Sequence, residues 1–418
     1  MSMKNRARTL LKAASADPTD VTPESVRKAI QTVSPGDVPL VMRALSITLK
    51  DDSSRAPALL DVLREGAAAT DDETRLAASR GLVVVAITAP ETLSEDLSIV
   101  IDRLDDEFSP VRAAGLRGLV WLSAHETEAI IEHVDHLAAR LNDENPFVAR
   151  TGLELISRLG QSHVEALEPT LEPIVDILRN PPTYTVEQRE RWNQYHPRDR
   201  DDDDESDEHD DRDQHLMIAA NAVAPIAVEH PKSMAPHVPD LVAVVKREEI
   251  DAVRYHLLEA IQAVAEVDPE AAADALDVAA GLFVSTDNDQ IRENAAWTLT
   301  WLVAGSVDGV DETLEQIHPT IFDCLSSDQE SDRGAALGLL SYYAERDPET
   351  VRTVLPDVRP QLEAGDPQHR GMAVWALAFA GESDDHERLI QIARGDPNTQ
   401  VRSAADEALT ILEDRIDE

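Results

Sequence analysis

Residues 268–305, DPEAAADALDVAAGLFVSTDNDQIRENAAWTLTWLVAG, decide the fold. Asp268-Pro269 is a helix start, because the carboxylate can accept from free first-turn N–H groups and a proline there has no donor to leave unpaired. The apolar spacing that follows predicts one helix over 270–283, a polar turn over 285–289 and a second helix over 290–303. In that second helix Arg292 is followed by a small residue three positions on, Ala295, and an aliphatic one seven positions on, Leu299.

The same triplet returns as Arg333, Ala336 and Leu340, as Arg370, Ala373 and Leu377, and as Arg402, Ala405 and Leu409. Upstream the beat continues through Arg75, Arg112, Arg150 and Arg254, and where no insertion intervenes the steps are 37, 38, 38, 41, 37 and 32 residues. A period near 38 with helical spacing inside it means units that pack on their neighbours, so the chain is one array and not three globules. Nine helix pairs are expected from Arg55 onward, beginning with helices near 56–69 and 73–88, and a further pair falls within 23–49. Residues 1–22, with Lys4, Arg6, Arg8 and Lys12, make a basic leader or capping segment.

Charge narrows the partners. The net charge is −43, and lysine occurs only six times among 38 basic residues. That balance suits molar salt, where the Debye length shrinks to about 3 Å and carboxylates stop repelling. A surface this negative is set against DNA or RNA, so no nucleic-acid partner is expected. One cysteine, Cys324, rules out a disulfide framework and a cysteine zinc cluster. No uninterrupted apolar run reaches 18 residues, so a soluble, cytoplasmic protein without a transmembrane segment is expected.

The units resemble HEAT repeats, pairs of antiparallel helices whose turn carries aspartate, a hydrophobic residue and arginine. The best matches are Asp289-Gln290-Ile291-Arg292, Asp396 through Val401-Arg402, and Ser109-Pro110-Val111-Arg112. The resemblance implies an all-α fold, a right-handed α-solenoid of about ten HEAT-like pairs. It also implies that Arg75, Arg112, Arg150, Arg292, Arg333, Arg370 and Arg402 form a structural ladder of aspartate–arginine pairs, not a binding stripe. Arg150 sits one residue late, after Pro146-Phe147-Val148-Ala149, and Leu216 stands where an arginine is due, so the ladder should break there.

The break coincides with the long insertion, 180–213, between HEAT-like arrays at 23–179 and 214–418. Its first half carries Tyr184, Trp192 and Tyr195, and its second is nearly all acidic, including Asp201 to Asp204. Aromatics on a polar loop have the composition of a contact hot spot; packing on the adjacent helix, or partial disorder, would explain them equally.

A second periodicity is aromatic. Trp121, Trp301, Tyr342 and Phe379 follow the ladder arginine by nine residues, with Trp297 and Trp375 one turn earlier. They recur on one face of the second helices and form either interlayer core or a groove for a partner's helix or peptide. Catalytic signatures are scarce: there is no phosphate loop, no nucleophile elbow and no metal-ligand spacing. His125, His133 and His136 cluster, but a solvated helix accounts for them. Among HEAT-like enzymes, deoxyhypusine hydroxylase is similar in architecture yet needs His-Glu pairs in its second helices, where this chain has Ala77-Ala78 or Ala404-Ala405. Phycobilin lyases share the repeat style without a signature that transfers. A non-catalytic protein-binding scaffold, with no cofactor or metal, is the expectation; a HEAT-repeat enzyme of either kind is the alternative.

Overall fold

The computed structural model describes residues 6–183, 185, 188, 190 and 208–417. It divides into two compact units, 1–226 and 227–418. Both are built from helix pairs, and among the described residues there is no strand. The second helices of the ten pairs are α1 (Val38–Asp51), α2 (Asp72–Thr88), α3 (Ser109–Leu122), α4 (Pro146–Leu159), α5 (Glu208–Glu229), α6 (Asp251–Val267), α7 (Asp289–Ala304), α8 (Glu330–Arg346), α9 (Pro367–Ala380) and α10 (Thr399–Asp417). In the first unit α1 to α4 pack in sequence, with helix Arg6–Ala16 against α1; in the second, α6 to α10 do the same.

Several second helices start on a side-chain cap, whereas α1, α3, α6 and α8 start without one. Asn145 accepts from Phe147 N at 3.0 Å, Asn288 from Gln290 N at 3.1 Å and Asp366 from Gln368 N at 2.8 Å. Proline at the first position of α4 and α9 removes a donor that would have no partner. The small and aliphatic residues that follow each arginine face inward: Ala295, Leu299, Ala336, Leu340, Ala373 and Leu377 are fully buried. Burying each leucine contributes about 1.5–3 kcal/mol.

The first helices differ from expectation. Residues 164–179 form three short pieces, Val164–Ala166, Glu168–Thr170 and Leu171–Arg179, and the helix expected over 270–283 is Ala273–Ala275 followed by Leu276–Ser285. In the former, Pro169 has no N–H to donate to the turn before it, which interrupts the helix. Helix α5 begins at Glu208, inside the stretch assigned to the insertion.

Arginines join successive pairs. Arg75 holds Asp106 by both carboxylate oxygens, Nε at 2.8 Å and Nη2 at 2.9 Å. Arg112 holds Asp143 in the same way, both bonds at 2.7 Å, and Arg370 holds Asp396 at 2.7 and 2.9 Å. Each aspartate also accepts the N–H two residues on, from Phe108, Asn145 and Asn398 at 2.8–2.9 Å. The aspartate's own carbonyl accepts from the next arginine, as Asp106 O does from Arg112 at 2.9 Å. A rung therefore needs two residues: an arginine, and an aspartate in the following unit placed six residues before that unit's arginine position.

This requirement explains every departure. Counted from Asp143, the arginine position in α4 is Ala149; Arg150, one residue late and so turned by about 100°, pairs with Glu154 of its own helix at 3.6 Å. In α5 buried His215 takes over the gap at Leu216, with Nδ1 2.8 Å from Asp211 O and Nε2 3.1 Å from Pro146 O. Ahead of Arg333 the acceptor position is Ser327, and Arg292 turns instead to Asp332 at 3.1 Å. Ahead of Arg370 it is Ala364, so Arg333 donates only to Ser327 O of its own turn, at 2.7 Å. Arg402 donates to Asp396 O and Pro397 O. Among the described residues, neither Arg333 nor Arg402 has a carboxylate within 4.0 Å.

Other inter-unit arginines lie outside the beat. Arg359 grips Asp385, whose side chain is fully buried, through Nε at 2.8 Å and Nη2 at 2.9 Å. Burial works to raise the Asp385 carboxyl, but Arg359 and the Glu382 N–H hold it below its ordinary value. Arg140 and Arg415 donate to Leu104 O and Ala378 O near the ends of helices one unit earlier, serving carbonyls that a helix C-terminus leaves free.

Candidate functional site

The aromatic beat converges in the second unit. Five and nine residues after the ladder arginine lie roughly 150° around the helix from the inward-facing alanine and leucine, at about 100° per residue. On α7 those positions are Trp297 and Trp301; on α9 they are Trp375 and Phe379. Between them, on α8, stand Gly338 and Tyr342. The five aromatic side chains are half-buried, and with Met372, Thr300, Ser341 and Glu345 they surround a cavity of about 430 Å³.

Gly338 is buried at the edge of the cavity. A Cβ there would come within 3.3 Å of Thr300 Oγ1 and 3.4 Å of the Trp297 ring, so the indole lies directly against the glycine. Tryptophans at the equivalent positions of α7 and α9 are walls of the cavity, and the absent side chain on α8 lets the Trp297 ring pack down onto that helix. Mid-helix glycine costs about 1 kcal/mol relative to alanine. Trp375 and Phe379 stack with centroids 6.5 Å apart and planes at 24°.

The polar groups are few. Thr300 and Ser341 spend their hydroxyls on helix carbonyls, Ala296 O at 2.8 Å and Gly338 O at 2.7 Å. The Trp301 indole N–H is buried without an acceptor among the described residues. Glu345 is exposed, is the one charged group in the lining, and has no cation within 4.0 Å among the described residues. Its neighbour Arg346 is committed elsewhere, to Asp311 at 2.8 Å, Ser306 at 2.5 Å and Val303 O at 3.0 Å.

Of the residues expected to bind a partner, Trp297, Trp301, Tyr342 and Trp375 thus come together, and Phe379 joins them. Tyr184, Trp192 and Tyr195 lie outside the described residues. Trp121, 44% exposed, belongs to the other unit, where the equivalent positions are Val84 and Arg158 and no aromatic stands beside it. The first unit instead repeats arginine five residues after the ladder position, at Arg43, Arg80 and Arg117, spaced by 37 residues. Arg80 is buried with Nη2 unpartnered, and burial pushes its pKa down to about 10. Sequence reading missed this stripe and missed Gly338, although both are visible once the units are aligned.

Among the described residues no three His, Cys, Asp or Glu side chains gather as metal ligands. His136 meets Asp105 at 2.8 Å, His386 meets Glu413 at 2.6 Å, and Glu126 accepts from Ser94 at 2.5 Å. Among the described residues no helix is long and apolar enough to cross a membrane.

Comparison with known proteins bears on the fold. Residues 319–410, which include α8 and α9 and the central and far walls of the cavity, match the family of HEAT repeats. No curated protein matches the chain. Among solved structures, an engineered protein from a structural genomics consortium superposes with a TM-score of 0.62 over 98% of this chain and 99% of its own, at 18% identity. A second engineered protein from the same source has a TM-score of 0.43 at 18% identity, over 59% of this chain and 97% of its own. The first likeness spans both units and bears on the fold alone: the chain is an all-α solenoid whose residues 319–410 match HEAT repeats.

Proposed function

We propose that this chain is a non-catalytic binding scaffold and that the cavity on α7, α8 and α9 is where it takes hold of a partner protein. One observation carries the reading: five aromatic side chains from three consecutive helices leave a shared 430 Å³ space unfilled. The rings around it are only half-buried, so the space opens to solvent and is available to a partner's side chain. Concave, largely aromatic sites of 300–1,000 Å³ with a few polar groups are where ligands and anchor side chains seat. HEAT-repeat architecture suits the role, since stacked units present a long surface without needing a catalytic centre.

The test is to break one wall. Gly338→Leu, whose side chain must displace the Trp297 ring lying 3.4 Å from a Cβ there, should disrupt the cavity while α8 stays helical, and the partner captured from the native cell extract by wild-type protein should be lost. Trp121→Ala, in the other unit, should capture it normally. If Gly338→Leu keeps its far-UV circular dichroism and recovers the same partner in the same amount, the cavity is not the recognition point.

A further inference from the structure

We propose that the cavity is an aromatic cage for an organic cation, an alkylammonium or guanidinium group. The proposal rests on the cavity being a recognition site and specifies what enters it. Three indoles, a phenol and a benzene ring form the walls, at Trp297, Trp301, Trp375, Tyr342 and Phe379. Each ring face carries the negative lobe of an aromatic quadrupole, and tryptophan provides the strongest. A cation enclosed by several such faces gains about 2 kcal/mol or more per good contact once water is excluded.

The charge of the lining points the same way. Glu345 is its single ionised group, stands at the edge in water, and has no cation within 4.0 Å among the described residues. Arg346, the adjacent residue, is tied to Asp311 and to Val303 O. No lysine, arginine or histidine lines the cavity, so no cationic side chain there would pair with a carboxylate or phosphate. A purely apolar anchor would fit the rings and leave Glu345 without a counter-charge. The net charge of −43 adds a field that concentrates cations near any surface of this chain and repels anions.

Gly338 matches on α8 the tryptophan positions of α7 and α9, and without a side chain there the Trp297 ring packs close against α8 as one wall of the cavity.

The experiment uses two probes of one shape. Choline and its uncharged isostere 3,3-dimethyl-1-butanol are titrated into the full chain and followed by tryptophan fluorescence, since three of the five tryptophans line the cavity, and by calorimetry. Choline should bind at least about tenfold more tightly than the isostere, the equivalent of about 1.4 kcal/mol. Glu345→Gln should weaken choline several-fold and leave the isostere unchanged, and Gly338→Leu should abolish both. Equal affinity for the two probes, or no choline binding to wild type, overturns the cation assignment. N-acetyl-trimethyllysine amide and N-acetyl-arginine amide then distinguish a side chain on a protein from a free small cation: tighter binding of either than of choline assigns the cage to a peptide, weaker binding to a small molecule. The scaffold reading fails separately. If partner capture is lost in Gly338→Leu but excess choline does not compete, the cavity recognises a protein by another chemistry; if choline binds and capture survives Gly338→Leu, the cage serves a small cation and not the partner.

Discussion

Arg254 has the position of a ladder arginine but no rung, and supplying its acceptor should stabilise the second unit. Six residues before the next ladder arginine, Arg292, stands Thr286, and the Arg254 Nε is buried without a hydrogen-bond partner among the described residues. The backbone at Thr286, φ −81° and ψ 140°, is close to that of Asp106, −65° and 138°, and of Asp396, −64° and 135°. The local turn is in place too, because Asn288 N already donates to Thr286 Oγ1 at 3.2 Å, as Asn145 N does to Asp143 at 2.9 Å. Thr286→Asp therefore places a carboxylate where Arg254 can grip it by two bonds. Each hydrogen bond to a charged group contributes about 1.5–3 kcal/mol, and partial burial of the new carboxylate offsets much of it, so a net gain of about 1–2 kcal/mol is expected. Urea denaturation followed by far-UV circular dichroism reads the change, with Thr286→Asn as the uncharged control. Arg254→Met makes the test strict. In the wild-type background it removes an unpaired guanidinium and should be neutral or stabilising; combined with Thr286→Asp it strands a carboxylate and should destabilise. If Arg254→Met has the same effect in both backgrounds, the two-residue rung is wrong.

Two further outcomes follow from the same contacts. Arg112→Ala leaves Asp143, whose side chain is 2% exposed, with only the longer contact to Arg140 at 3.7 Å and the Asn145 N–H, so a loss of about 3 kcal/mol is expected; Arg333→Ala gives up one bond to Ser327 O and should lose about 1 kcal/mol. Urea melts showing equal losses would remove the distinction between paired and unpaired ladder positions. Acid should act through the rungs. Arg370, opposed by burial but helped by the Asn398 N–H, holds Asp396 below the ordinary carboxylate range, and Asp106 is held down by Arg75 and the Phe108 N–H against a larger desolvation that pushes it up. Depressed carboxylates stabilise the fold above the unfolded value near pH 4 and lose that contribution as pH falls through the folded value. Falling net charge works in the opposite sense down to the isoelectric point near 4.5. The urea midpoint should pass through a maximum near pH 4–5 and drop below it, with a shallower drop in Asp396→Asn. A midpoint that keeps rising to pH 2.5 would mean that the rungs do not titrate.

The second helices were legible because their register is enforced three times over. Arg292, Ala295 and Leu299 each have one place they can occupy on a helix that must face its own partner and its neighbour, so the triplet repeats in sequence as it repeats in space. The first helices lack that constraint: at 164–179 a proline divides the helix without moving its buried residues off the core, and periodicity alone does not register the interruption. The ladder was half legible for a related reason. The arginine comes from a fixed helical position, whereas the acceptor needs only a carboxylate within reach, so Asp332 can serve where Ser327 occupies the usual site, and Asp385 can serve Arg359 outside the beat altogether. The cavity was the hardest feature to foresee, because a search for binding chemistry looks for groups that act and Gly338 acts by absence. The aromatics at 297, 301, 342 and 375 announce that one face is apolar; they do not reveal whether that face is closed. The alignment of Trp297, Gly338 and Trp375 at one position of three stacked helices shows that the middle side chain is missing and that Trp297 can pack down onto α8, and it is that placement of the rings, which no residue type alone records, that leaves a place where something can enter.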